Sequence, residues 1–483
     1  MNTVFKKASW LTGMLIILFF ANNSTVAQKI WTLEDCINYA LTNNLDIKTQ
    51  VLTVEANKKQ HLQSILGMLP DLNADATNTW NFGQTIDMYT NTFATTTVRS
   101  NNFYVSSNVT LFSGLTKLNT IQQRKINILA SNYDLDVIRN NISLAVAGYY
   151  LDILLNSELM DVARAQRDVT RDQVGRIQKR VEAGSSARGE LLNIQAQEAA
   201  EDLAVITSEN LLNISNLTLQ QLIDLSVTKD FVIEKPRLKS VEAPKDLLTP
   251  EQIYEYALLS RPEIKSAELK VKMSEKGLAI SRGSLSPVLT AGGTWGTGYS
   301  GVANEVDPNS PVDSIPYFVG KVNGTGDPVY TKYPVYTYRV KSFSDQISSN
   351  SNKSLGFNLR IPIFNGWQAR TAIAQAKIQV DQADLYLEMQ KRNLRKSIEQ
   401  AYADAAASLK KYKSVTTQVT AQEESFKYTQ EKFDVGMLTA FDYNTSKKDL
   451  VKAQSDLLQA KYDFIFKSTI LNYYMGKPIS INQ

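Results

Sequence analysis

Two residue types that carry much of protein chemistry are almost missing from this sequence. The 483-residue chain has one histidine, His61, and one cysteine, Cys36. A single histidine cannot supply an HExxH helix or a two-histidine metal site. No GxSxG-like elbow is present to give it a serine nucleophile. A lone cysteine forms no intramolecular disulfide, and within "LEDCINYAL" Cys36 fits as a small apolar helix residue. The stretch "GTGYSG" (296–301) has the glycine spacing of a dinucleotide fingerprint, but it runs into a Pro/Gly-rich loop and lacks the strand–turn–helix context. No enzyme chemistry, cofactor or metal is expected. An excess of one charge is missing too: 52 Lys and Arg against 48 Asp and Glu leave +4, which gives no general pull towards nucleic acid. Past the N-terminal segment there is no apolar run of about 20 residues, the length a membrane-spanning helix needs. The best candidate, "ISLAVAGYYLDILL" (142–155), is short and carries Asp152.

The N-terminus has the charged, apolar, small-residue order of a secretory signal peptide. Lys6 and Lys7 precede "WLTGMLIILFFA", and "STVAQ" places Ala27 before Gln28. Residues 1–27 are therefore expected to be removed on export. The residue directly after the cleavage site is Gln28, not cysteine, so a lipid anchor is not indicated. An exported chain without a spanning helix is either soluble or crosses a membrane as a β-barrel.

The remainder is written twice. "TLEDCINYALTNNLDIK" (32–48) matches "TPEQIYEYALLSRPEIK" (249–265) at an offset of 249 − 32 = 217, and Pro70 falls on Pro287. "VTLFSGL" (109–115) then matches "IPIFNGW" (361–367) at 361 − 109 = 252, and Gly184 falls on Gly436 at the same offset. The difference, 252 − 217 = 35 residues, is an insertion between Pro287 and the second of these stretches. The expected domains are a first repeat over 28–233, a Pro-containing linker over 234–248 and a second repeat over 249–483. Each repeat reads helix, β segment, loop, β segment, long helix, glycine break, helix. The second carries a longer loop, 302–335, expected to be extracellular, in which no sustained strand or helix pattern is visible.

The β segments alternate. Leu355, Phe357, Leu359, Ile361 and Ile363 do so across 354–364, and Phe103, Val105, Val109 and Leu111 take the same parity in the first repeat. Alternation over about ten residues fits a half-buried soluble strand or a lipid-facing barrel strand. Aromatic residues at the segment ends, namely Trp80, Phe112, Trp295, Phe364 and Trp367, favour the barrel, since aromatic girdles mark membrane interfaces. Four strands cannot close a barrel alone, and open sheet edges are not tolerated in lipid, so closure requires other copies. The helices dominate the rest. From Ile373 to Val419 apolar residues keep a 3–4 spacing, and 368–434 would span about 100 Å as one helix. A stripe of that length indicates coiled-coil packing.

Gly184 and Gly436 are expected to end these helices and turn the chain back, because glycine adopts φ > 0 without steric cost. Around the second break Val435, Met437, Leu438 and Phe441 place apolar side chains at the far end of a thin projection, which points to a docking surface. Glu190 and Asp442 follow the two glycines, where a carboxylate suits the start of a returning helix.

The order as a whole, from "WTLEDCINYAL" through both F-x-G junctions and both glycine tips, resembles the TolC-family outer-membrane channel proteins (the outer membrane efflux protein family). The resemblance implies a mostly α fold with a membrane β-barrel: duplicated long helical hairpins and four strands per protomer, closed by a homotrimer into twelve strands in outer-membrane lipid, with the helices in the periplasm. It implies a periplasmic adaptor (membrane fusion) protein docked at the tips through Gly184, Ser185, Val435, Gly436 and Met437, and an inner-membrane pump of RND or ABC type. The function implied is passive conduction in tripartite efflux or type I secretion. Family tunnels tend to close with acidic residues just past the tip. Asp442 fits that position and Glu190 is its counterpart, but Thr445 and Leu438 stand where a further acid and a base are often found. An acidic aperture and an apolar one built on Leu438 or Met437 both fit. The reading from another class is a periplasmic coiled-coil spacer or adhesin without transport.

Overall fold

Each of four helices in the first half has a partner of the same length in the second. The computed structural model describes residues 29–95, 97–226, 231–236, 248–310 and 312–479. The expected signal peptide and all but the ends of the expected linker lie outside the described residues. Helices α1 (Leu33–Asn43) and α2 (Leu45–Leu66) have 11 and 22 residues. The first strand, β1 (Ile30–Trp31), precedes them; β2 (Asn73–Asn81), β3 (Thr85–Ile86), β4 (Phe93–Ala94) and β5 (Val98–Ser113) follow. Next come α3 (Thr116–Glu182), of 67 residues, and α4 (Arg188–Leu222), of 35. After β6 (Val232–Ile233), α5 (Pro250–Ser260) and α6 (Pro262–Gly283) again have 11 and 22 residues. Then β7 (Val288–Ser300), β8 (Asn304–Val306), β9 (Asp313–Lys321), β10 (Pro328–Val335), β11 (Tyr338–Val340), α7 (Phe343–Ser349) and β12 (Asn352–Arg360) lead into α8 (Gln368–Asp434) and α9 (Ala440–Tyr474), of 67 and 35 residues. Equal caps start the paired short helices: Thr32 with Asp35 and Thr249 with Gln252 each form a capping box.

Two compact units result, each drawing on both halves of the sequence. One comprises 57–127 and 272–382, the other the rest. The first holds an antiparallel four-stranded sheet in the order β12-β7-β5-β2. Its register departs from simple alternation at one point. Thr110 opposes Thr290 and Phe112 opposes Leu289, so Leu111 is the extra residue of a β-bulge and Phe112, not Leu111, continues the row of Phe103, Val105 and Val109. The expected strand over 354–364 also stops early, at Arg360. Pro362 has no N–H to give to a ladder, and Phe364 and Trp367 therefore lie beyond the strand. Both strand-to-helix junctions use two successive left-handed residues, Gly114 (φ 60°) with Leu115 (φ 63°) and Gly366 (φ 61°) with Trp367 (φ 69°). Gly114 is also sterically required, since a Cβ there would fall 2.6 Å from the Gly283 carbonyl oxygen.

The long loop of the second half is not irregular, contrary to the sequence expectation. β9 and β10 form an antiparallel hairpin across 313–335 with a bulge at Val329/Tyr330, β8 pairs with β11, and α7 follows. Three prolines, Pro316, Pro328 and Pro334, sit inside or at the start of those strands and hide the alternation of Ile315, Tyr317, Tyr333 and Val335. A seven-residue helix such as α7 is too short to show a period.

The second unit holds the buried core. Trp31, Cys36, Ala40, Val146, Tyr150, Ile153, Leu219, Phe231 and Tyr462 form one cluster, and Ile253, Ala257, Ile264, Leu394, Ile398, Ala401 and Leu471 form another. In both, a short helix packs on the middle of a long one. β1 and β6 pair in parallel, and the Tyr150 hydroxyl donates to the Glu234 carbonyl at 2.8 Å. Burial pushes the Cys36 thiol up to about 12. Among the described residues no helix is long and apolar enough to cross a membrane.

Candidate functional site

The four-stranded sheet has one apolar and one polar face. Across one face Leu289 stands between Leu359 and Phe112, Ala291 between Phe357 and Val109, and Trp295 between Lys353 and Val105. Across the other, Thr290 stands between Asn358 and Thr110, and Thr294 between Ser354 and Ser106. The Thr294 and Ser354 hydroxyls are hydrogen-bonded at 2.6 Å. In a water-soluble sheet the apolar face would be covered by a core. Here Leu355, Phe357 and Leu359 are 80%, 70% and 60% exposed. An uncovered apolar face backed by a hydroxyl and amide face is the pattern of a barrel wall between lipid and an aqueous lumen.

The aromatic candidates fall at different levels of this wall. Trp80, at the end of β2, opposes Arg99, whose guanidinium lies 5.7 Å from the indole centroid. Phe112 lies at the opposite end of the sheet, beside Leu289. Trp295 stands inside β7 rather than at its end, opposite Val105, and its Nε1 donates to Ser351 Oγ at 3.0 Å. Phe364 and Trp367 occupy the junction to α8, with the Arg370 guanidinium 4.5 Å from the Trp367 ring.

The two helix tips, both in the second unit, end in the same way. Gly184 (φ 69°) donates to the Val181 carbonyl and Ser185 to that of Arg180; Gly436 (φ 80°) donates to Phe433 and Met437 to Lys432. This is the Schellman closure, in which two amides beyond the helix satisfy its last carbonyls. No atom lies within 4 Å of a Cβ built at either glycine, so the conformation requires glycine and the surrounding space does not. Beyond the turn the tips differ. Thr439 caps α9 in a capping box with Asp442, whose carboxylate accepts from the Thr439 amide at 3.3 Å and hydroxyl at 2.6 Å. Ala187 stands in Thr439's place and offers no side-chain cap; instead the Ser186 hydroxyl donates to the Glu190 carboxylate. Each candidate aperture acid is thus engaged within its own turn. Leu438 is half-buried, whereas Val435, Met437 and Phe441 are 69%, 76% and 77% exposed.

A polar cluster joins the two hairpins behind the tips, and the sequence reading missed it. Lys447 on α9 is buried and donates to Thr170 Oγ1 at 2.5 Å and to the Gln166 carbonyl at 3.3 Å, both on α3. Glu201 on α4 lies 3.6 Å away. Burial holds the Lys447 ammonium below the usual lysine range, and Glu201 opposes that shift. Nearer the tips the Gln173 amide donates to the Tyr443 hydroxyl at 2.6 Å, and Tyr443 stacks against Phe433 with ring centroids 4.6 Å apart. Its spacing, four residues after Tyr443 and three before Leu450, puts Lys447 in the apolar stripe of α9 and was the one signal in the sequence.

Comparison with known proteins agrees with this geometry. The chain is 19% identical over 374 residues to the outer membrane efflux protein BepC of Brucella suis, covering 77% of this chain and 71% of that protein. It is 20% identical to the outer membrane protein TolC of Vibrio cholerae, over 70% of this chain and 68% of that one. Among solved structures, the CmeC outer membrane channel of Campylobacter jejuni superposes with a TM-score of 0.73 at 15% identity, over 93% of this chain and 87% of that one. The family model for outer membrane efflux proteins matches residues 36–224 and 253–477, and the chain belongs to that family.

Proposed function

We propose that this protein is the outer-membrane channel of a tripartite efflux or type I secretion system, conducting substrates passively from an inner-membrane pump and a periplasmic adaptor to the outside. The observation that carries this reading is the inverted polarity of the sheet, whose apolar face lies open to the surroundings. Strands β12 and β2 are the sheet's two edges, and an unpaired edge in hydrocarbon costs several kcal/mol per unsatisfied group. The sheet therefore closes against other copies, and the family's arrangement is a homotrimer with twelve strands. The helices continue the conduit into the periplasm, and the exposed tips at Gly184–Ser185 and Val435–Met437 receive the adaptor. We assign the chain no catalytic reaction. A spacer or adhesin has no need of a sheet apolar towards its surroundings.

Fractionation and gel migration test the reading. The mature chain, beginning near Gln28, should sediment with outer membranes and run as a heat-modifiable, detergent-stable oligomer that conducts ions in planar bilayers. A soluble monomer retaining residues 1–27 would refute it.

A further inference from the structure

Among the described residues the strands of the hairpin β9–β10 pack extensively on no element but each other. The hairpin nevertheless carries Ile315, Tyr317, Phe318, Val319, Tyr330 and Tyr333, all exposed. Rings meet along it: Tyr317 and Tyr333, tilted, at 5.7 Å and Phe318 and Tyr330, edge to face, at 5.9 Å. Tyr317 and Phe318 are consecutive on one strand, so the two ring pairs lie on opposite faces. An isolated two-stranded hairpin is marginally stable in water, and one apolar on both faces is a surface awaiting cover.

The sheet order indicates what covers it. The hairpin belongs to the connection between β7 and β12, at the β12 edge. The opposite edge is β2, and the connection from β2 to β5 carries its own exposed apolar group: Phe82, Ile86, Met88 and Phe93. Both connections leave the same end of the sheet, because Ser300 at the end of β7 opposes Ser100 near the start of β5. The β2–β5 connection is already fixed to its own sheet. The Ser300 hydroxyl donates to the Asp87 carboxylate at 2.6 Å, and the Tyr89 hydroxyl donates to Asn102. Its apolar side chains therefore form a preset surface, and binding there carries little ordering cost.

We propose that β9–β10 of one copy docks on the β2–β5 connection of the neighbouring copy, so that a ring of these contacts reinforces the closed barrel at its outer end. This rests on the proposed oligomeric barrel. When β12 of one copy lies beside β2 of the next, the two apolar groups become neighbours, and each covers the other. The partner is thus a second copy of this chain.

The test uses cysteine pairs in the purified full-length oligomer, because native Cys36 is fully buried. Tyr330→Cys is combined in turn with Ile86→Cys, Met88→Cys and Phe93→Cys, then oxidised with copper phenanthroline. At least one pair should give covalent dimers and trimers that neither single variant gives. In parallel, serine at Tyr317, Phe318, Tyr330 and Tyr333 should abolish the oligomer at a temperature where the wild type persists, with outer-membrane insertion retained. An intact wild-type oligomer with no crosslink from any pair, or a quadruple variant as heat-resistant as the wild type, overturns the contact and leaves the barrel standing. Crosslinks from Tyr330→Cys alone would mean that hairpins meet one another, which also overturns it. Absence of any wild-type oligomer would take down the barrel reading itself, and the contact with it.

Discussion

The ammonium of Lys447 on α9 lies 3.6 Å from the carboxylate of Glu201 on α4, and the two side chains are only 4% and 10% exposed. A buried pair of this kind ties the returning helices of the two hairpins together across the unit. Removing one member strands the other charge, which costs about 3–5 kcal/mol, whereas replacing both by apolar groups of similar volume is often neutral or stabilising. Lys447→Met should therefore lower the denaturation midpoint of the helical unit strongly, and adding Glu201→Met should restore most of it. Circular dichroism across a denaturant series reads the cycle; additive losses would show that the two charges act independently.

Substitutions at Gly436 separate turn geometry from docking. Because the space around it is open and φ is +80°, Gly436→Ala bears only the left-handed strain, about 1–2 kcal/mol, and the channel should keep its function. Gly436→Trp adds bulk where the adaptor is proposed to sit. It should abolish transport and adaptor crosslinking while outer-membrane levels of the oligomer persist. Wild-type crosslinking by the tryptophan variant would reduce the tip to a turn.

The acids at the start of the returning helices bear on ion preference. If Asp442 from several copies converges where the tunnel narrows, the ring of like charge attracts cations. Asp442→Asn keeps an acceptor for the Thr439 amide and removes the charge. Cation preference in planar-bilayer recordings should fall without loss of the folded oligomer. Unchanged selectivity would leave Asp442 with its cap alone.

Asp87 makes the β2–β5 connection acid-sensitive. Burial raises its pKa, but hydrogen bonds from Ser300, Thr90 and Tyr89 outweigh that and hold it below the ordinary 3.8. A carboxylate depressed in the folded state lends stability that is complete above the ordinary value and lost as pH falls through the folded one. Limited proteolysis between β2 and β5 should therefore be slow at neutral pH and accelerate below about pH 4. Asp87→Asn should be cleaved faster at neutral pH and lose most of that dependence.

Much of this was legible because duplication repeats a signal at a fixed offset. Gly184 and Gly436 announced both tips, and the long stripe from Ile373 announced α8. What escaped depended on register or on contacts between distant segments. The bulge at Leu111 moves one residue out of step, which no alternation count resolves. Pro362 ended β12 before the apolar pattern did. The pairing of β1 with β6 joins two-residue strands some 200 positions apart in the sequence, too short for any pattern. Lys447 and Glu201 look like ordinary surface charges until three helices enclose them.

The uncovered apolar face of the sheet also dictates an order of events. A helix satisfies its backbone groups within one chain, so the long hairpins can form on a single copy. Strands β12 and β2 cannot: their outward hydrogen bonds exist only after an encounter between chains. Maturation is therefore a higher-order reaction in protein concentration, and the solitary protomer, with a greasy wall and two open borders, is the species most prone to aggregate. The rate at which new copies arrive at the membrane sets the balance between assembled pore and lost chain.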